Sequence, residues 1–240
     1  MNKLKSAILY ECSTKFTAIC IFYLIQYAFV ALITLIIGLS MGTFEDVGTN
    51  CLEMSSIIFV GIFGVLSFKE DFKMLIQNGF TRKYIFFATI SLFIFMAGVM
   101  AFIDTVVGQS LYRLTNYYQS LFGSVYGYSN IIMNWIWLVL LYMLILCLFY
   151  LGILLINKVG KTISIYLGVV LGGIVLMIIA LFKYVFSAEV VSNILEFLVK
   201  SMGFMTDGTI NYLLPALTLL LFIAVLGSCS YATIRRAELK

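Results

Sequence analysis

The chain has 240 residues, of which 63% are hydrophobic and only 11% charged, with a mean hydropathy of +1.10 and a net charge of +4. A water-soluble domain carries roughly 25% charged residues, so this balance excludes a soluble globular enzyme and describes a chain built for lipid. There is no histidine, which removes the commonest metal ligand and general base.

Residues 1–16 read as a short amphipathic segment lying on the inner leaflet. Leu4, Ile8 and Cys12 recur at i, i+4 and i+8, while Lys3, Lys5 and Glu11 fall elsewhere on the helical wheel. A first span follows at about 17–41. It exceeds the ~7–15 apolar residues of a signal-peptide core, so it reads as a retained span. A turn carrying Gly42, Glu45, Asp46 and Gly48 leads to a second span at about 52–68 and, after a polar stretch, a third at about 84–108.

The segment after the third span is rich in tyrosine (Tyr112, Tyr117, Tyr118, Tyr126 and Tyr128), and Trp135 and Trp137 open a fourth span at about 135–157. Such rings favour the headgroup layer. Lys158 to Lys161 is a tight turn before a fifth span at about 162–183. A sixth span, at about 212–232, has the only proline, Pro215, in its first turn, where the missing N–H costs little. Each run approaches the ~20 apolar residues that cross ~30 Å of hydrocarbon. Together they make one all-α membrane domain over 1–240, with no room for a soluble one.

Basic residues orient these spans. Of 15 Lys and Arg, twelve precede the first span, lie between the second and third or the fourth and fifth, or follow the last. The remaining segments hold only Arg113, Lys183 and Lys200. This positive-inside pattern predicts six transmembrane helices with both termini in the cytoplasm. The basic charge touches anionic headgroups. No soluble basic face with stacking aromatics exists for nucleic acid.

Groups able to carry chemistry are few. The five cysteines (Cys12, Cys20, Cys51, Cys147 and Cys229) lack Cys-x-x-Cys spacing and read as packing residues. Gly160-Lys161-Thr162 lacks the glycine that a nucleotide-binding loop needs five residues earlier, where Leu155 stands. Asp104, with Glu53 and Lys183, lies near the outer ends of spans. A hydroxyl or basic partner for Asp104 is the plainest reading. Gly38 and Gly42, and Gly168, Gly172 and Gly173, allow close helix contact within the subunit or at a dimer seam.

The stretch from Phe68 to Lys83 is the most structured polar one. Glu70 and Asp71 suit a helix start, and Phe72, Leu75 and Ile76 form a narrow apolar stripe. Asn78-Gly79 is a left-handed stop, and Thr81 is placed to cap the third span. A helix of roughly ten residues results, too short to cross a membrane. A second amphipathic helix is predicted from a Ser187 cap to Met202, closed by Gly203. Val191, Ile194, Leu195 and Leu198 lie on its apolar face and Glu189, Glu196 and Lys200 on its polar one.

Six short spans, a basic N-terminal segment and the run from Leu75 to Lys83 together resemble a type-two ATP-binding-cassette (ABC) exporter permease. The likeness covers the whole chain in topology. In sequence it rests on Leu75-Ile-Gln-Asn-Gly-Phe-Thr-Arg-Lys83, similar to the family's Leu-x-x-x-(Gly/Pro)-hydroxyl-Arg pattern. Length and composition are similar to small Gram-positive permeases of bacteriocin-immunity and phenol-soluble-modulin exporters.

The resemblance implies that residues 1–16 are an elbow helix and that the 69–78 helix is a coupling helix. Lys69, Glu70, Asp71, Phe72, Lys73, Leu75, Ile76, Arg82 and Lys83 would then dock an ATPase subunit, present in two copies. It also implies a second permease subunit (a second copy or a relative), an outer helix before span six, and a bacterial plasma membrane. ATP and Mg would be bound by the partner; this chain has no cofactor and no catalytic residues. Amphipathic or hydrophobic cargo, a peptide toxin or bacteriocin foremost and a lipid or drug next, would be exported. The alternative is a membrane module without an ATPase, such as an accessory or sensor subunit or a small carrier.

Overall fold

A computed structural model describes residues 2–42, 50–68, 72–115, 118–184, 186–205 and 207–235. Among these, nine helices follow in order: α1 (Asn2–Met41), α2 (Glu53–Ser67), α3 (Lys73–Gln77), α4 (Arg82–Thr115), α5 (Leu121–Tyr126), α6 (Ile131–Val159), α7 (Lys161–Tyr184), α8 (Ala188–Ser201) and α9 (Leu213–Ile234). Five of them (α1, α4, α6, α7 and α9) are long and apolar enough to cross a membrane. The protein is an all-helical, multi-pass membrane protein.

The expected sixth span is the exception. α2 has 15 residues, or ~22 Å at 1.5 Å per residue, short of ~30 Å of hydrocarbon. Leu52 and Phe68, which extend the apolar run in sequence, fall just outside it as its caps.

A second departure lies at the N-terminus. The separate elbow expected over 1–16 is absent among the described residues: α1 runs without a break for 40 residues. The first glycine is Gly38 and no proline occurs before Pro215, so nothing in the sequence interrupts the backbone ladder. The inward face also differs from the expected one. Glu11 and Lys15 are buried, with the Lys15 ammonium 5.2 Å from the centre of the Phe63 ring, whereas Leu9 and Tyr10 point outward. The lower part of α1 therefore packs on α2.

The chain divides into two compact units, residues 1–146 and 147–240. In the first, α4 packs against α1, α2 and α3. Half of its most apolar stretch is buried, with Leu92, Phe93, Met96, Ala97, Met100 and Ala101 at its centre. The aromatic rings of α1 and α2 interleave there, Phe22 on Phe59 at 4.1 Å.

In the second unit α8 packs against α9. The turn between them is fixed by Gly203, whose φ is +92°. Its N–H and that of Phe204 donate to the carbonyls of Lys200 and Val199, which satisfies two carbonyls at the end of α8. The loop then doubles back, with the Asn211 N–H donating to the Gly203 carbonyl at 2.8 Å.

Candidate functional site

The tyrosine-rich segment between α4 and α6 is a packed cap. Its anchor is Tyr128, whose ring stacks on Tyr112 with centroids 3.6 Å apart. The Tyr128 hydroxyl donates to the Tyr118 carbonyl at 2.9 Å and accepts from the Ser120 N–H at 2.8 Å. Gly123 lies so close beneath the Tyr128 ring that a Cβ there would collide with it. Ser120 caps α5 by accepting the Gly123 N–H, and Phe122 and Tyr126 meet Trp137 edge-on. Cys51, in a left-handed conformation at φ 53°, donates its N–H to the Gln119 carbonyl. The cap is thereby tied to the start of α2.

Beneath this cap two carboxylates are buried together. Glu53, the first residue of α2, is 1% exposed, and Asp104 on α4 is 3% exposed. Glu53 Oε2 accepts from the Tyr118 hydroxyl at 3.2 Å. That hydroxyl in turn accepts the Leu52 N–H at 3.3 Å. Burial, and next the Glu53 charge, push the Tyr118 phenol above the usual tyrosine range. Asp104 accepts from the Tyr142 hydroxyl of α6, and the hydroxyls of Ser56 and Tyr23 also interact with it. Tyr23 itself donates to the Met100 carbonyl at 3.2 Å.

Helical spacing explains the convergence: Glu53 and Ser56 share one face of α2 at i, i+3, and Asp104, Thr105 and Gly108 share one face of α4. Gly108 marks the contact, since a Cβ there would stand 3.5 Å from Glu53 Oε1. Two carboxyl groups this deep in a helix bundle carry a large desolvation cost whenever they are charged, and their side-chain partners are hydroxyls. The hydroxyl partner expected for Asp104 is therefore present. The approach of Glu53, 51 positions away, was not legible in the sequence.

The stretch expected to dock a partner is placed only in part. Lys69, Glu70 and Asp71 lie outside the described residues. Lys73 opens α3, which has five residues, where the sequence suggests a helix of about ten. Phe72 is 2% exposed and Leu75 1%, with the Phe72 ring 4.9 Å from Phe68. They are covered within this chain and offer no free anchor to another protein. Ile76 is half-buried, and the exposed side of the turn holds Gln77, Asn78, Thr81, Arg82 and Lys83.

The stop itself is as expected. Gly79 has φ +78°, and the N–H groups of Gly79 and Phe80 return to the Ile76 and Leu75 carbonyls. The Thr81 carbonyl accepts the Ile85 N–H at 3.0 Å, and α4 starts three residues after the glycine.

The second amphipathic helix is present as α8, with Ser187 in extended conformation before it. No residue of α8 is buried: Val191 and Ile194 are half-exposed, and Leu195 and Leu198 more than half. Glu196 and Lys200 pair at 2.7 Å across one turn. That hydrogen bond, and then the lysine charge, lower the Glu196 carboxyl. No protein-family model, no curated protein and no solved structure matches this chain.

Proposed function

We propose that this protein is the membrane-spanning subunit of an ATP-driven exporter, with ATP and Mg bound by a separate ATPase. The reading gives the chain six crossings, with α2 as a short sixth and both termini inside, on the strength of the basic-residue pattern. The observation that carries it is the α2–α3–α4 corner. A one-turn helix, stopped by Gly79 and joined to α4 through Phe80 and Thr81, sits between two apolar helices at their basic end. Its burial against α4 makes it a rigid handle, so a push on α3 reaches the spans.

Two ATPase subunits would engage this corner on two permease subunits, the second being another copy or a relative. Closure of the ATPases would rock the spans and move amphipathic or hydrophobic cargo outward, a peptide toxin or bacteriocin foremost. The setting would be a bacterial plasma membrane. No described residue lies within 4 Å of a side chain built at Gly168, Gly172 or Gly173, which suits that face of α7 to lipid or a second subunit.

Because Phe72 and Leu75 are internal, the test falls on the exposed rim. Arg82→Glu with Lys83→Glu should lower co-purification of the ATPase and export in parallel, by about tenfold or more, with insertion unchanged. Normal association and export in this variant would reduce α3 to an interfacial helix and remove the main support for an exporter. A second reading, a carrier without an ATPase, is favoured by the buried pair Glu53 and Asp104, since ion-coupled carriers use such intramembrane carboxylates. Absence of any ATPase in the purified complex would favour it.

A further inference from the structure

The polar cluster under the tyrosine cap leaves two of its buried oxygens unsatisfied. Glu53 Oε1 and Thr105 Oγ1 are both buried without a hydrogen-bond partner, and their residues are 1% and 3% exposed. Glu53 Oε2, by contrast, is held by Tyr118. The orphaned Oε1 faces α4, since it lies against Gly108. Gly108 is one turn from both Thr105 and Asp104, and Ser56, one turn from Glu53, interacts with Asp104. Four buried oxygen-bearing side chains thus lie on two facing helix turns: Glu53, Ser56, Asp104 and Thr105.

We propose that these four residues form a binding site for one monovalent hard cation of the sodium type. The chemistry of the donors sets the class. All are oxygens and none is nitrogen or sulfur, which suits a hard cation. The protein supplies Glu53 Oε1, Ser56 Oγ, Thr105 Oγ1 and an Asp104 oxygen, short of the six to eight that calcium takes. All four side chains are buried, which disfavours magnesium, an ion that keeps several of its waters. One positive charge satisfies the orphaned Oε1 and offsets one of the two carboxylates. The hydroxyls of Tyr118 and Tyr142, as donors, stabilise the remaining negative charge. Other titratable groups facing the cluster are Tyr23 and Tyr27 of α1, neutral at ordinary pH. The site does not rest on the exporter reading, because it is built wholly inside the first unit.

The test uses the full chain in lipid nanodiscs. Radioactive sodium retention should reach about one ion per chain. Thermal unfolding should shift upward with the logarithm of sodium concentration at constant ionic strength, choline replacing sodium. Glu53→Gln, which keeps the shape and removes the charge, should abolish both responses. Thr105→Val, which removes one neutral ligand and leaves both carboxylates, should fold normally and weaken sodium binding about tenfold. Ser228→Ala, an exposed change in the second unit, should bind as the parent does. Equal stability in sodium and choline, with no retained ion, would overturn the proposal. So would stabilisation by acid alone in sodium-free buffer, which would assign a proton to the pair, or sodium binding that survives both Glu53→Gln and Thr105→Val.

Discussion

α4 and α7 have almost the same hydropathy, 2.4 and 2.8 over their most apolar stretches, yet half of that stretch is buried in α4 and none of it in α7. In water a more apolar helix would be the more deeply buried one. In lipid the rule lapses, because hydrocarbon tails solvate Leu and Ile as well as another helix does. What separates the two is their minority residues. The middle of α4 carries Thr89, Ser91, Asp104 and Thr105, and three of these are buried. α7 has Lys161, Thr162 and Ser164 at its start and Lys183 at its end, and between them Tyr166 is the one side chain with a polar group. A polar group inside a span must find a protein partner, and the helix that holds several is drawn to the centre.

The largest expected effect breaks this comparison most directly. Phe93 is fully buried on α4 and Leu176 is 69% exposed on α7. Phe93→Ala should cost about 3 kcal/mol through the cavity it leaves. Leu176→Ala should stay within about 0.5 kcal/mol. Unfolding of the purified protein in nanodiscs measures both. Equal losses would mean that α7 is packed as tightly as α4, against another subunit.

The glycines sharpen it next. At Gly203 φ is +92°, and a Cβ would run into the Asn211 carbonyl and stand 3.0 Å from Pro215 Cδ. Gly203→Ala should destabilise the α8–α9 turn by about 1–3 kcal/mol. Gly172→Ala, on an open helical face, should be neutral, or gain up to about 1 kcal/mol from helix propensity. Proteolysis at the α8–α9 loop would rise in the first variant alone. A loss of assembly in the second would place Gly172 in a subunit seam.

How far these features are legible in the sequence depends on their range. The ends of α6, α7 and α9 fall within a few residues of the expected spans, because apolar length and flanking charge are local properties. Gly79 and Gly203 stop their helices as expected, since a left-handed stop is written in one residue. The N-terminal segment shows where a local pattern runs out. The i, i+4 spacing of Leu4, Ile8 and Cys12 indicates a face but not what lies against it. A neighbouring helix with Phe63 to offer takes Glu11 and Lys15 inward instead. Phe72 is a similar case: an aromatic beside charges reads as an anchor for a partner, but it is buried, with its ring against Phe68 four residues earlier. The Glu53–Asp104 pairing depends on how α2 meets α4, and no spacing in the sequence carries that.

A smaller effect belongs to the cap over that pair. Tyr118→Phe removes a hydroxyl that donates to Glu53 and accepts from Leu52, which should cost about 1–2 kcal/mol at neutral pH. The pH dependence has a definite sign. Tyr118 is raised above 10 in the folded state, so its contribution is whole below pH 10 and falls as pH rises above that value. The parent should therefore lose stability on the alkaline side, and the phenylalanine variant should lose less. Identical alkaline profiles would mean that Tyr118 is open to water and that the cap is loose.

The smallest effect lies on α8, which has no buried residue. Glu196 and Lys200 pair at 2.7 Å, each side chain about half exposed. Water and salt screen such a pair, and holding two long side chains in one geometry consumes most of what attraction remains. The lowered Glu196 carboxyl puts the pair's small contribution above the usual carboxylate range, to be lost as pH falls through and below that range. Glu196→Gln should therefore leave the unfolding midpoint and the helix content of α8 unchanged at neutral pH, in low salt as in high. The same variant in the first unit's cluster, Glu53→Gln, is expected to change ion binding outright, so the two glutamates form a matched control. A midpoint shift of several degrees from Glu196→Gln would show that α8 is not a solvent-facing strip. Its polar side would then be held against protein, and the contrast between a buried α4 and an exposed α7 would have to be redrawn to include α8.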